Sequence, residues 1–409
     1  SIIKKIAEKS DVVLFVNKDH FKLLNSHKPN NVEIRIIDER KKSRWNRLVE
    51  IIYRFFKKIP KSRNNFFLME CFKISKIKNS SKRNFTFFML KLTMILPKFI
   101  SYDWLLDNLK FKSNTKIDDI NKMFFFTEIS NDYFLARCIR KKLESFVYVY
   151  SWDHPYKHTK FSNKLVYLTW SNSTKDDLIF NMKISKDNIR ILGSTQFCYV
   201  HKALEHNFKK KSYNFSYIYY ACAIGINDLV EQEIEIIKTL NKIIKDHNSN
   251  LKLIVRPYPI LDNWNFYNSL KLDGIILDDS FRRSDLSVSN DSILEKFEKI
   301  KNSELFLHLG STIGLEASFF ETPSVIIDFG YNKNSKKNLS IKNFIHQGQN
   351  DKYLFKEKSI NYFSEELHFK NWLDDYSNNL IYKQSNKYIS SDFDIHSFDE
   401  ISKRIEQLC

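Results

Sequence analysis

Residues Glu304–Gly330 read ELFLHLGSTIGLEASFFETPSVIIDFG. Leu305–Leu309 is a short apolar run, and Gly310-Ser311-Thr312 is a turn of small residues. Ile313–Phe320 is an apolar helical stretch, Thr322-Pro323 breaks it, and Ser324–Phe329 is a second buried run. The pattern predicts strand, tight turn, helix and strand, one βαβ unit. Small residues at a helix start present backbone N–H groups beside the positive end of the helix dipole, an arrangement that suits an anion. In open α/β sheets ligands gather at the carboxyl ends of strands, which is where Gly310–Thr312 would lie.

Glu316 falls beyond the N3 position of a helix capped by Ser311, so it is not a capping-box glutamate. It sits among Ile313, Leu315, Ala317 and Phe319, where a carboxylate needs a partner. A nucleotide ribose would supply two hydroxyls. The other reading is an ordinary βαβ unit with a solvated glutamate, and this stretch alone does not choose between them.

Working outward, 409 residues fit two domains of about 150–200 residues each. A hydrophobic fraction of 43%, with 35 Phe and 20 Tyr, excludes a disordered chain. Only 7 Gly and 7 Pro argue against collagen-like or linker-rich organisation. The five cysteines, Cys71, Cys138, Cys198, Cys222 and Cys409, show no metal or redox spacing, which points to a reducing, cytoplasmic setting. No signal peptide or membrane-spanning run is visible; Phe85–Ile100 comes nearest and is interrupted by Lys91 and Pro97-Lys98. The expected protein is soluble or peripheral.

A net charge of +18 suggests an anionic partner. Ten Lys/Arg lie between Arg40 and Arg63, opposed only by Glu50. Trp45, Leu48, Ile52, Phe55, Phe56 and Ile59 recur there at helical spacing. Such a helix suits an anionic inner-membrane surface, or else packs on its own domain with a solvated basic face. Phe85–Leu96, flanked by Lys82, Arg83 and Lys98, extends either surface.

Strands and helices alternate along the rest of the chain. Asp11–Val16, Val32–Ile37, Met123–Thr127, Phe146–Tyr150, Leu165–Thr169 and Asn188–Leu192 read as strands of a first half. His201–Asn214 is polar and basic and marks a boundary. Phe215–Tyr220, Leu251–Val255 and Gly274–Leu277 open a second half, with helices over Asp228–His247 and Ser292–Lys301. This alternation predicts an α/β fold of parallel sheets covered on both faces. The expected domains are 1–200 and 215–390, joined by 201–214 and followed by a helix within 391–409.

Taken in order, SWDHPYKHTKF (151–161), YLTWSNSTKDDLI (167–179), NIRILGSTQF (188–197), YIYYACAIG (217–225), LIVRPYP (253–259) and HLGSTIGLEASFFETPSVIID (308–328) resemble bacterial surface-polysaccharide glycosyltransferases of the GT-B fold. The resemblance covers about Tyr148–Asp328 and is one of motif order. Where members of that family often carry Arg-Pro-His-Pro, this chain has Tyr258, which keeps the arginine and the loop but not the histidine. The resemblance implies two Rossmann-like domains facing a cleft. It gives the N-terminal domain the acceptor, a glycan or lipid-linked glycan of capsule or lipopolysaccharide type, and the C-terminal domain a nucleotide-sugar donor. It also implies no metal or other cofactor. The one Asp-x-Asp match, Asp392-Phe393-Asp394, lies in a polar tail with no strand leading into it.

Glycosyl transfer needs a stabilised leaving phosphate and, for inversion, a base on the acceptor hydroxyl. The leaving-group set is Gly310, Ser311 and Thr312 with their amides, Arg256 as cation, Tyr258 beside it, and Glu316 on the ribose. His308 either touches the nucleotide or is a satisfied core histidine. Asp153 is the first candidate base and His154 the second, with His158 beyond them; Asp153 is equally a turn-capping residue. Gly193, Ser194 and Gln196 line the cleft near the hinge, or form an ordinary strand exit. Ala221 and Cys222 face the donor, Cys222 as a packing residue. A Ser-Thr turn with an Arg-Pro-x-Pro loop also resembles transferases that use CMP-activated acidic sugars. Rival readings are a nucleotide-sugar 2-epimerase of the same fold and a non-enzymatic membrane- or nucleic-acid-binding protein. The scattered charge and lack of a nucleic-acid module disfavour nucleic acid.

Overall fold

The computed structural model describes residues 2–18, 21, 25, 28–38, 43–59, 63–75, 77–110, 115–125, 131–151, 155, 158–206, 208, 213–223, 225, 227–248, 250–258, 264–280, 290–320, 322–334, 340–347, 361–377 and 392–408. They form two compact units: Ser1–Phe66, Phe88–Cys198 and Phe393–Cys409 in the first, Phe67–Phe87 and Tyr199–Asp392 in the second.

In the first unit β1 (Val12–Val16) pairs in parallel with β2 (Val32–Ile36). A second parallel sheet runs β3 (Lys122–Phe125), β4 (Glu144–Tyr148), β5 (Val166–Thr169), β6 (Ile189–Ile191) in sequential order. The strand expected over Met123–Thr127 is β3; residues 126–130 lie outside the described ones.

The basic segment forms α1 (Arg44–Phe56), capped by Ser43, whose hydroxyl accepts the Asn46 N–H at 3.1 Å. Its inward face differs from the expected one. Asn46, Val49 and Tyr53 are buried, with Ile52 and Phe56 leaning on the same core, whereas Trp45 and Leu48 are exposed. Asn46 turns inward because its carboxamide satisfies the backbone of Lys110, accepting that N–H at 2.9 Å. Trp45 stays at the rim, donating its indole N–H to the Asn108 carbonyl at 2.9 Å. Residues 40–42 and 60–62 of the same segment are outside the described ones. A second long helix, α2, spans Ser80–Ile95; its residues up to Phe87 are counted with the second unit and those from Phe88 with the first. α3 (Asp132–Arg140) and α4 (Asn172–Asp177) connect the strands of the second sheet; Asn131 and Ser171 cap them.

The second unit holds one parallel sheet of six strands: β7 (Tyr217–Ala221), β8 (Lys252–Arg256), β9 (Ile275–Leu277), β10 (Leu305–His308), β11 (Ser324–Ile327) and β12 (Asn361–Phe363). Every residue of β7, β10 and β11 is buried, the near-continuous apolar pattern of strands covered on both faces. Between them run α5 (Asn227–His247), α6 (Asn290–Lys301), α7 (Thr312–Ser318) and, after β11, α8 (Ile341–Gln347). The chain ends in α9 (Phe398–Glu406), which belongs to the first unit and starts with a Ser397–Glu400 capping box. The sheet order is β12-β11-β10-β7-β8-β9. Counted from β7, that is 6-5-4-1-2-3, the doubly wound dinucleotide-fold order.

Candidate functional site

Strand order places the site. From β7 the chain steps outward to β8 and β9, then crosses back to β10 on the other side of β7. The connections leaving β7 and β10 diverge, and in doubly wound sheets the carboxyl ends of two such strands are where ligands bind. Ala221 ends β7, buried and in register with Arg256, and Cys222 and Ala223 follow it. His308 ends β10 and leads into Gly310 and Ser311.

His308 organises this turn. Its Nδ1 accepts the Gly310 N–H at 3.0 Å and the Ser311 N–H at 3.3 Å. The ring proton therefore sits on Nε2, 2.9 Å from Ser324 Oγ. Burial drives its pKa from 6.5 down to about 3, so the ring is neutral. Of the two readings of His308, the satisfied core histidine is the one observed. Two amides that the sequence assigned to an anion point into the protein instead, because a nearer acceptor, the imidazole, already occupies them. Gly310 takes φ +81°, which lets the chain turn this tightly around the ring. Ser311 begins α7 without capping it; its Oγ is buried and has no hydrogen-bond partner among the described residues.

Two expected outcomes follow from this packing. A Cβ at position 314 would stand 2.2 Å from His308 Cε1, so Gly314→Ala should cost about 1–3 kcal/mol in urea denaturation. The second concerns pH. The unfolded chain protonates His308 near pH 6.5, the folded one only near about 3, so the unfolded state binds more protons throughout that window. Stability should rise with pH across it, by up to about 1.4 kcal/mol per unit from this residue. His308→Asn, whose amide oxygen can stand in for Nδ1, should flatten that slope.

Behind the turn lies a buried ionic group. Glu316 on α7 is 2% exposed, and its Oε2 is 2.6 Å from Lys296 Nζ on α6. The expectation that this carboxylate needs a partner holds, and Lys296 supplies one. Burial lowers the Lys296 pKa; Glu316 opposes that shift and the charge of Arg256 adds to it. Arg256, half-buried at the end of β8, is also felt by Tyr219 on β7 and by Cys222 just past it. Arg256, Lys296 and Glu316 thus share the carboxyl end of the sheet with a second buried carboxylate, Glu233, which accepts from the Tyr220 hydroxyl and the Ala223 N–H, each at 3.0 Å. Tyr258 is half-buried just past Arg256. Burial, then Glu233, pushes the Cys222 thiol well up, which makes it a packing group and a poor nucleophile.

A second charged cluster went unread in the sequence. Asp278, just past β9, accepts from Tyr219 Oη at 2.6 Å, Lys299 Nζ at 2.8 Å and Ser280 Oγ at 2.7 Å. Burial alone would raise its pKa, but Lys299 and these hydrogen bonds hold it low. The available signal was spacing: Lys296 and Lys299 lie on the same stripe of α6 as Phe297 and Ile300, where lysines need buried acids.

In the first unit Asp153 and His154 lie outside the described residues. His158 is buried, edge-on to Tyr150 at 6.2 Å. Gly193 is buried against the His396 ring, and Ser194 Oγ accepts the Phe197 N–H at 3.3 Å, at the start of the helix Phe197–Glu205. Gln196 is exposed.

No protein-family model matches the chain, and no curated protein does. Solved structures with a similar course include a Staphylococcus aureus MnaA–UDP structure, at 9% identity and TM-score 0.48 over 97% of this chain and 94% of that one. A Methanocaldococcus jannaschii UDP-GlcNAc 2-epimerase with UDP-GlcNAc and UDP matches at 12% and 0.47, over 97% and 98%. A glycosyltransferase from Rickettsia africae matches at 11% and 0.43, over 85% and 93%. These are likenesses of general architecture and lend no residue role to this chain.

Proposed function

We propose that this chain is an enzyme acting on a nucleotide-sugar, specifically a glycosyltransferase that passes the sugar to a surface glycan or lipid-linked acceptor. The observation that carries the reading is the Arg256–Lys296–Glu316 group at the carboxyl end of a doubly wound sheet. A nucleotide phosphate would sit at the β7–β10 switch point, where Arg256 offers a planar, two-pronged donor and Ser311 Oγ a further hydrogen bond. Lys296 and Glu316 brace the site from beneath, and Lys296 adds positive potential as charge develops on the leaving phosphate. This cation supply takes the place that a divalent metal holds in other transferases. Asp153, with His154 as the alternative, would deprotonate the acceptor hydroxyl if transfer inverts. On the resemblance of its Ser-Thr turn and Arg-Pro-x-Pro loop, the donor would be an acidic, CMP-activated sugar.

A thermal-shift series with CMP, CDP, UDP, GDP and dTDP tests the reading. One nucleotide should stabilise the protein in a concentration-dependent way, by about 2.7 kcal/mol at roughly 100 times its Kd. Absence of any shift at millimolar nucleotide would refute it. Incubating the matching nucleotide-sugar without acceptor then separates the reactions: an altered sugar still joined to its nucleotide would identify a 2-epimerase.

A further inference from the structure

We propose that the face of α2 carrying Phe85, Phe88, Leu92 and Ile95 is a docking surface for an anionic lipid bilayer. These residues recur at three- and four-residue spacing and so share one side of the helix; Phe99 lies four residues past its end. All five are exposed, from 41% for Leu92 to 83% for Ile95. Leu90, on another side, is buried, so the helix packs through that side and turns the stripe outward. Isolated exposed apolar residues are ordinary, but four large ones in a row along one helix face, with a fifth just past its end, are not.

Charge selects the occupant. Residues 71–102 contain seven Lys/Arg and no Asp or Glu. Lys78, Lys82 and Lys91 on and beside α2 are exposed. A second copy of the same face would bring two such basic stretches together without an acidic residue between them. A nucleic acid would leave Leu92 and Ile95 in water. An anionic bilayer meets both demands: phospholipid headgroups attract the lysines, and the acyl boundary takes up the apolar stripe. At 16 residues α2 is about 24 Å long, and no helix among the described residues is long and apolar enough to cross a membrane. It would lie in the interface plane. This inference is independent of the nucleotide chemistry of the second unit.

The test is flotation of the full chain with vesicles of phosphatidylcholine alone, or with about 30% phosphatidylglycerol added. The protein should float with the anionic vesicles only and release in high salt. Phe88→Ser/Ile95→Ser, two exposed changes that should leave the melting temperature intact, should weaken binding roughly ten-fold or more. Lys82→Glu/Lys91→Glu should do the same without altering the stripe. Failure of the native chain to float with anionic vesicles would overturn the proposal. So would undiminished binding by the Phe88/Ile95 variant. A native dimer that this variant converts to monomer, with no vesicle binding by either, would assign the stripe to contact between copies instead.

Discussion

Arg256→Ala is expected to weaken binding of the preferred nucleotide by roughly 30- to 150-fold, the loss of about 2–3 kcal/mol of charge-assisted hydrogen bonding. The residue closes β8 and is half-buried, and β8 is held on both sides by β7 and β9, so the sheet should survive the change. Arg256→Lys should restore only part of the affinity. An ammonium keeps the charge but lacks the planar fork that grips two phosphate oxygens at once. Isothermal titration of the native and both variant proteins measures the effect. Equal affinity in all three would remove Arg256 from the site.

Lys296→Met should destabilise the second unit by about 3–5 kcal/mol. It takes the ammonium from Glu316, a carboxylate that is 2% exposed among apolar residues of α7. The size of the loss comes from stranding a buried charge, not from the worth of the pair. Replacing both members, as Lys296→Met/Glu316→Leu, should therefore recover most of the stability. Urea denaturation of the two variants gives the comparison. A loss below about 1 kcal/mol in the single variant would mean that solvent reaches the pair.

The sequence carried the local elements and the type of fold. Leu305–Leu309, Ile313–Phe320 and Ser324–Phe329 correspond to β10, α7 and β11, because short apolar runs bounded by Gly and Pro have few other uses. Arg256 and Cys222 sit at strand ends as their motifs predicted. What remained hidden depends on pairing across elements. No spacing rule joins Lys296 to Glu316, twenty residues away on another helix, so a carboxylate with a protein partner read as one awaiting a ribose. His308 was ambiguous for a related reason. Its hydrogen bonds to Gly310 and Ser311 are local, but only the burial of β10 shows that the ring faces inward. Strand order was equally silent, since crossover direction is set by packing, and it is that order which marks the switch point beside β7. The α2 stripe shows the limit most plainly. Its periodicity is visible in the sequence, but periodicity does not say which side of a largely apolar helix meets the protein.

The account turns on where a nucleotide's phosphate rests. A crystal structure with the nucleotide that gives the largest thermal shift addresses this directly. It should show the phosphate between the carboxyl ends of β7 and β10, within hydrogen-bond distance of the Arg256 guanidinium and Ser311 Oγ. A nucleotide held at saturation elsewhere, with both of those groups untouched, would contradict it.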